Sequence, residues 1–434
     1  MSETRKERRR LPLLLSRFML VAGLVLTLPG QGWAEEEEAA LSEEALKLET
    51  VLSYAQAHNP SIQAARERLL AAQERPAQVS ALDDPMVTYE GFNIPENFDL
   101  TRTDNSILKL SQKLPFPGKR RLRGEIATHE ATITKEELRM VEVMTRVGVK
   151  KAYYDLWQVH QNLVIYSRDK ELMAQFATIA EKKYAVGLSS QPDVLRAQVE
   201  LTRLINRVTT ETLKLGEVRA VLNGLLSRSP EAPLSVPRDA PAPVVSQTLT
   251  ELAELTLRNR PEIAAKAGVI DRDTLALALA QKAYFPDFEV YIERFFNGGR
   301  RDGVGLIFSA TIPLAYRQKY DAGVAEARAR LNAGKADLRA TQDQALVEVK
   351  SALVRAQTAA ELVNLFTQTH VPQAEQALAS SRIAYQTGKV DFLSLIDSLR
   401  VVEQVHAEHI AAAADFEKAY AELERAVGQG LPRR

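Results

Sequence analysis

The sequence predicts a mainly α protein with a small β part: long coiled-coil helices forming an α-barrel, with four β-strands per chain. Three observations lead there. The 434 residues are rich in aliphatic and alanine side chains, while Gly (20), Pro (19) and aromatics (6%) are modest, a balance that suits long helices. The chain is built twice, with matching segments about 200 residues apart. Each copy holds two short alternating strands and then a helical stretch longer than a globular enzyme needs.

The N-terminus reads as a secretory leader over residues 1–34. Arg5, Lys6, Arg8, Arg9, Arg10 and Arg17 precede an apolar run from Phe18 to Leu28, which is too short to span a bilayer as a helix. Gly32 and Ala34 supply small residues for cleavage, and the mature chain would open on the acidic run Glu35–Glu38, a solvated start. No later segment offers about 18 consecutive apolar residues, which leaves a soluble protein or one that crosses a membrane by β-strands. Lys+Arg and Asp+Glu both number 56, so the basic footprint of a nucleic-acid binder is missing. Cysteine is absent, which excludes disulfides, Cys-ligated zinc, iron–sulfur clusters, thiol nucleophiles and a lipid-modified cysteine anchor.

The repeat organises the rest. His58-Asn59-Pro60 answers Asn259-Arg260-Pro261, and Leu108–Pro115 answers Leu306–Pro313. Val147–Ala152 matches Val347–Ala352, and Tyr184–Gly187 matches Tyr385–Gly388. The first repeat occupies 35–226 and the second 248–434. Between them, 227–247 carries Pro230, Pro233, Pro237, Pro241 and Pro243, a density that forbids helix and reads as an extended linker. Each repeat opens with a helix, expected at about 47–80 and 248–282. Strands follow at Met86–Phe92, Ser106–Leu114, Asp287–Phe296 and Val304–Ile312, with alternating apolar residues such as Val304, Leu306, Phe308 and Ala310. Then come rods at 122–186 and 318–387, each about 100 Å long at 1.5 Å per residue. Their apolar steps of three and four (Val149, Ala152, Leu156, Val159, Leu163, Tyr166; Leu346, Val349, Leu353, Ala356, Ala360, Val363) suit coiled coils. A glycine turn ends each rod, and a helix returns over about 190–226 or 390–428.

Strands of seven to ten residues can cross a bilayer when tilted. Open sheet edges are not tolerated in lipid, and four strands cannot enclose a lumen, whereas three chains would supply twelve. Strand periodicity alone is met equally well by two soluble hairpins on a helical bundle; the leader and the duplicated rods favour the barrel.

These residues resemble the TolC-like outer-membrane efflux proteins, the outer membrane factors, over about 45–430. Gln112-Lys-Leu-Pro-Phe-Pro-Gly-Lys-Arg120, where strand becomes rod, is similar to a signature of the family's heavy-metal subgroup. Tyr184-Ala-Val-Gly-Leu188 is similar to the family's helix-tip motif. The resemblance implies a homotrimer with a twelve-stranded barrel in outer-membrane lipid and an α-barrel in the periplasm. It also implies docking to a periplasmic adaptor and an inner-membrane RND pump, with no cofactor.

Candidate working residues follow. Pro115 and Pro117 cannot donate ladder hydrogen bonds and Gly118 permits a sharp turn, so the three read as a barrel-to-helix connector. Gly187 and Gly388 permit left-handed backbone at the reversals. Val186, Gly187, Leu188 and Ser189, with Thr387, Gly388 and Lys389, are the expected adaptor-docking tips. The second tip departs from the family's Val-Gly-Leu pattern. By the family's spacing, the aperture acids fall on Asp193 and Asp397, with Asp391 a further candidate; a ring of acids in a trimer would narrow the pore and attract cations. Helix capping is the competing role for Asp193 and Asp391. His406 and His409, with Glu403 one turn earlier, form a tempting metal face but an incomplete ligand set, so no metal site is assigned. No phosphate loop, nucleophile elbow or HExxH motif is present, which points away from an enzyme. The leading reading is a passive exit duct for heavy-metal cations. A duct for organic compounds and a periplasmic coiled-coil scaffold are the alternatives.

Overall fold

The computed structural model describes residues 41, 45–94, 96, 105–238, 241, 243–298 and 301–432. The leader and the acidic run Glu35–Glu38 lie outside the described residues.

The order of elements is α1 (Leu48–His58), α2 (Pro60–Ser80), β1 (Met86–Phe92), β2 (Asn105–Leu114), α3 (Lys119–Ala185) and α4 (Gln191–Leu225). The second half repeats it as α5 (Leu249–Asn259), α6 (Pro261–Lys282), β3 (Asp287–Asn297), β4 (Gly303–Thr311), α7 (Ala322–Leu365), α8 (Val371–Gln386) and α9 (Phe392–Val427). The strands fall within a residue of their expected ends.

Two helical expectations need correction. The opening helix of each repeat is broken where a residue precedes proline and is pushed to extended backbone. Asn59 (φ −68°, ψ 122°) caps α2, accepting from the amides of Ser61 (2.9 Å) and Ile62 (3.4 Å). Arg260 makes the same break (φ −69°, ψ 120°) but spends its side chain on Glu348 at 2.7 Å. The second rod is likewise not one α-helix. Wider π-helical turns occupy Tyr316–Asp321 and Phe366–His370, each an extra residue inserted in the helical ladder.

Both return helices end by docking on the matching break. Gly428 (φ +84°) closes α9, where an added Cβ would lie 2.7 Å from the Arg260 Cα. The first repeat has Ser227 in the same left-handed region (φ 59°), and Asn59 Nδ2 donates to the Leu225 carbonyl at 2.9 Å. The linker runs beside the segment that leads into α1, with the Arg238 amide donating to the Leu46 carbonyl at 2.8 Å.

The coiled-coil seams are buried as their spacing requires. Val149, Leu156, Val349 and Ala356 lie fully inside a mid-rod core completed by Phe416 and Tyr420 of α9. A second core near the tips joins Met173 and Phe176 of α3, Leu204 of α4, Tyr385 of α8, and Phe392 and Leu395 of α9.

The four strands form one antiparallel sheet in sequence order, and the β2–β3 pairing (Leu114 opposite Phe288, Asn105 opposite Asn297) joins the two repeats. The unbroken register sorts side chains onto two faces. One carries exposed Val87, Leu108, Leu110, Ile292, Leu306 and Phe308. The other carries Thr88, Glu90, Lys109, Glu289 and Glu293, with Lys109 held by Glu293 at 3.1 Å and Glu90 at 3.7 Å. A sheet with an exposed apolar face and a polar face suits lipid outside and water inside. No described helix is long and apolar enough to cross a membrane.

Candidate functional site

The connector is a clamp between the repeats. Leu114 ends β2 and Lys119 begins α3; between them Gly118 takes φ +91°, a conformation that favours glycine. The Phe116 amide donates to Asp287 at 2.7 Å, and Lys119, itself buried, reaches Asp287 at 2.8 Å and the Phe285 carbonyl at 3.0 Å. Phe116 stacks on Phe285 with centroids 4.5 Å apart. Arg120 donates to the Ser80 carbonyl at 2.8 Å. The residues around Pro115, Pro117 and Gly118 thus hold the feet of β2 and β3 to the tops of α2 and α3.

The two tips share one design. Each ends in a left-handed glycine flanked by paired backbone bonds: Leu188 N–H to Lys183 C=O (2.8 Å) with Gly187 N–H to Tyr184 C=O (3.0 Å), and Lys389 N–H to Ala384 C=O (2.8 Å) with Gly388 N–H to Tyr385 C=O (3.2 Å). Lys183 Nζ donates to the Tyr385 carbonyl at 2.6 Å and lies over its ring, tying one tip to the other. Val186 and Leu188 are 68% and 76% exposed, an apolar point with Ser189 half-buried behind it. Thr387, Gly388 and Lys389 are all exposed and more polar.

The three candidate acids differ in what they already do. Asp193 closes a capping box: its Oδ2 accepts from Ser190 Oγ (2.8 Å), the Ser190 amide (3.2 Å) and Ser189 Oγ (3.0 Å). Burial pushes its carboxyl up, but those bonds and Arg196 outweigh it and hold it below the ordinary value. Asp391 caps α9 through the Ser394 amide (2.9 Å) and hydroxyl (2.5 Å), which also hold its carboxyl low. Asp397 lies inside α9 beyond its cap; it is exposed, and its ion-pair partner among the described residues is Arg400, at 3.5 Å.

That Arg400 begins a ladder of charges that sequence reasoning missed. Arg400 binds Glu200 at 2.7 Å, Glu200 binds Arg203 at 2.6 Å, Arg203 binds Glu403, and Glu403 binds Arg207 at 2.9 Å. Glu200 and Glu403 are almost completely buried, while Arg203, Arg207 and Arg400 are part-exposed, so α4 and α9 are joined by two buried carboxylates under solvent-facing guanidinium groups. Burial raises the Glu200 carboxyl, yet Arg400 and Arg203 prevail and hold it low. The available signal was the pair Glu200/Arg203 and its reversed counterpart Arg400/Glu403, one repeat apart.

Asp169 on α3 is the other omission. It is 3% exposed, and its Oδ2 has no hydrogen-bond partner. Burial first, and the Glu403 charge second, push it up to about 6. It lines a cleft of about 390 Å³ between α3 and α8, with Arg168, Glu171, Glu375 and Arg382. The histidine face does not converge. His406 pairs with Glu375 (3.1 Å), His409 with Thr367 (3.0 Å), and Glu403 belongs to the arginine ladder. Among the described residues, no group of three or more His, Cys, Asp or Glu side chains is placed to hold a metal.

A rod-and-strand repeat of this kind has known counterparts. A family model described as outer membrane efflux protein matches residues 51–208 and 252–429, one block in each repeat. The chain belongs to that family. It is an outer-membrane efflux channel component whose helices extend into the periplasm, and the family is one of passive channels, not enzymes. The cobalt-zinc-cadmium resistance protein CzcC of Cupriavidus metallidurans is 21% identical over 388 residues, covering 88% of this chain and 90% of its own. The fusaric acid resistance protein FusA of Burkholderia cepacia is 23% identical over 263 residues, 56% of this chain and 49% of its own. The fold superposes on the outer membrane protein VceC of Vibrio cholerae with a TM-score of 0.74 at 20% identity, covering 88% of this chain and 96% of that one.

Proposed function

We propose that three copies close into a twelve-stranded barrel continuous with a helical conduit, the exit duct of a tripartite system that expels heavy-metal cations. Similarity to CzcC along almost the full length of both chains carries the metal assignment. The connector Gln112–Arg120, similar to that of the heavy-metal subgroup, supports it. A periplasmic adaptor docks on Val186, Gly187, Leu188 and Ser189 and, less extensively, on Thr387, Gly388 and Lys389, and an inner-membrane RND pump drives transport. Outer-membrane lipid contacts the apolar sheet face. The partial likeness to FusA favours a second reading, a duct for organic compounds.

Among the acids, Asp397 is assigned to the constriction, because Asp193 and Asp391 are engaged as helix caps. Asp397→Ala raises single-channel conductance in planar bilayers; unchanged conductance and cation preference would remove it from the gate. Deletion of the gene sensitises cells to cobalt, zinc or cadmium, and the cloned chain restores resistance. Metal tolerance untouched by deletion, with sensitivity to organic compounds instead, would favour the second reading.

A further inference from the structure

One side chain breaks the pattern of the lipid-facing sheet. Of the outward positions on the four strands, Arg294 alone carries a charge. Its cross-strand neighbours are Leu108 on β2 and Val304 on β4, which is 78% exposed, and its same-face neighbours along β3 are Ile292 and Phe296. The guanidinium lies over the Phe296 ring, 5.1 Å from its centroid. Its polar partner among the described residues is Asp302, 3.5 Å from one Nη. Asp302 is shared with the Asn297 amide at 3.4 Å. An exposed pair at that separation contributes little, so most of the guanidinium N–H groups remain unspent. Exposed Arg301 adds a second cation in the same turn.

Depth decides what such a charge can meet. The helices lie in the periplasm, so the β3–β4 turn faces outward. Arg294 precedes the end of β3 by three residues, about 10 Å along the strand. A charged side chain there lies in the outer part of the apolar band, where its cost is small and its long stem can carry the head to the lipid headgroups. A ligand that satisfies this place needs an anionic head for the guanidinium and a hydrocarbon body for Leu108, Ile292 and Val304. Arginine matches phosphate with paired N–H donors.

We infer that Arg294, its guanidinium set over the Phe296 ring, is a binding site for the phosphate of a lipid in the outer leaflet. The inference rests on the outer-membrane barrel reading. It is tested with full-length trimers in phosphatidylcholine nanodiscs, measuring retained diphosphoryl lipid A and its dephosphorylated counterpart by native mass spectrometry. Wild-type trimers retain the phosphorylated form at least about tenfold better, and Arg294→Gln abolishes that preference. Arg294→Lys keeps part of it, and Asp302→Ala does not reduce it. A millimolar excess of inorganic phosphate leaves the lipid in place. Inserted, heat-modifiable trimers that retain both lipids equally, an unaltered Arg294→Gln preference, or displacement by inorganic phosphate would overturn the site while leaving the barrel intact. Failure to insert would remove the barrel reading and the site together.

Discussion

Asp169 makes the tip coils sensitive to pH, and the magnitude follows from its surroundings. The carboxyl is buried between α3 and α8 and feels the Glu403 charge of α9, which the Arg168 charge opposes in part. Its titration moves from 3.8 to about 6. At about 1.4 kcal/mol per unit, the ionised form costs about 3 kcal/mol per chain once the pH exceeds 6. The folded value lies above the unfolded one, so this stability is fully present below about pH 4 and lost as pH rises through 6. Asp169→Asn keeps the shape and removes the titration. Hydrogen exchange of amides flanking Asp169 and Glu403, corrected for intrinsic rates between pH 4 and 7.5, reads the effect. Wild-type protection falls across that window, whereas the variant stays level and is better protected at pH 7.5. Equal slopes in the two proteins, or a wild-type slope of opposite sign, would refute the argument.

Three further outcomes are expected. Glu403→Gln weakens the hold on Arg203 and Arg207, both part-exposed and Arg203 still paired with Glu200, and destabilises the tip by about 1 kcal/mol; it also lowers the Asp169 titration, both visible in the same exchange experiment. Gly428→Ala destabilises far more than Gly388→Ala, because its new methyl would meet the Arg260 backbone whereas Gly388 stands in open space; the second change costs about 1 kcal/mol, and thermal midpoints of the purified trimers rank the two. Asn59→Ala removes the α2 cap and the bond to Leu225, lowering stability by about 1–2 kcal/mol in thermal unfolding.

The strands, the rods and the reversals were legible because each rests on local chemistry. Alternation from Met86 to Phe92 and from Val304 to Ala310 marks period-two structure, and Gly187 and Gly388 mark the turns. The breaks at Asn59 and Arg260 were written in the sequence as residues before proline, but such residues can also sit in continuous kinked helices. The π turn at Phe366–His370 stands just before Pro372, which removes a helical N–H, whereas the one at Tyr316–Asp321 carries no comparable local signal. The site was read less completely. Asp193, Asp391 and Asp397 look alike in sequence, and only the geometry separates two helix caps from an exposed carboxylate. The ladder from Arg400 to Arg207 shows locally only as the pairs Glu200/Arg203 and Arg400/Glu403, and their joining depends on partners one repeat apart; the Asp169 shift depends on burial and has no local spacing to betray it.

The two free edges of the sheet are not equivalent. β1 has seven residues and β4 has nine, and they belong to different repeats. A ring built from such chains must join β4 of one to β1 of the next, a head-to-tail contact that closes only when every member has both edges. A chain with one ruined edge is still recruited through its good one, and it leaves a gap in any ring that admits it. Expressed at parity with intact chains, it would leave only about one ring in eight free of the defect under random assembly. Lesions at Met86–Phe92 or Gly303–Thr311 should therefore be genetically dominant, whereas lesions that unfold the whole chain should be recessive.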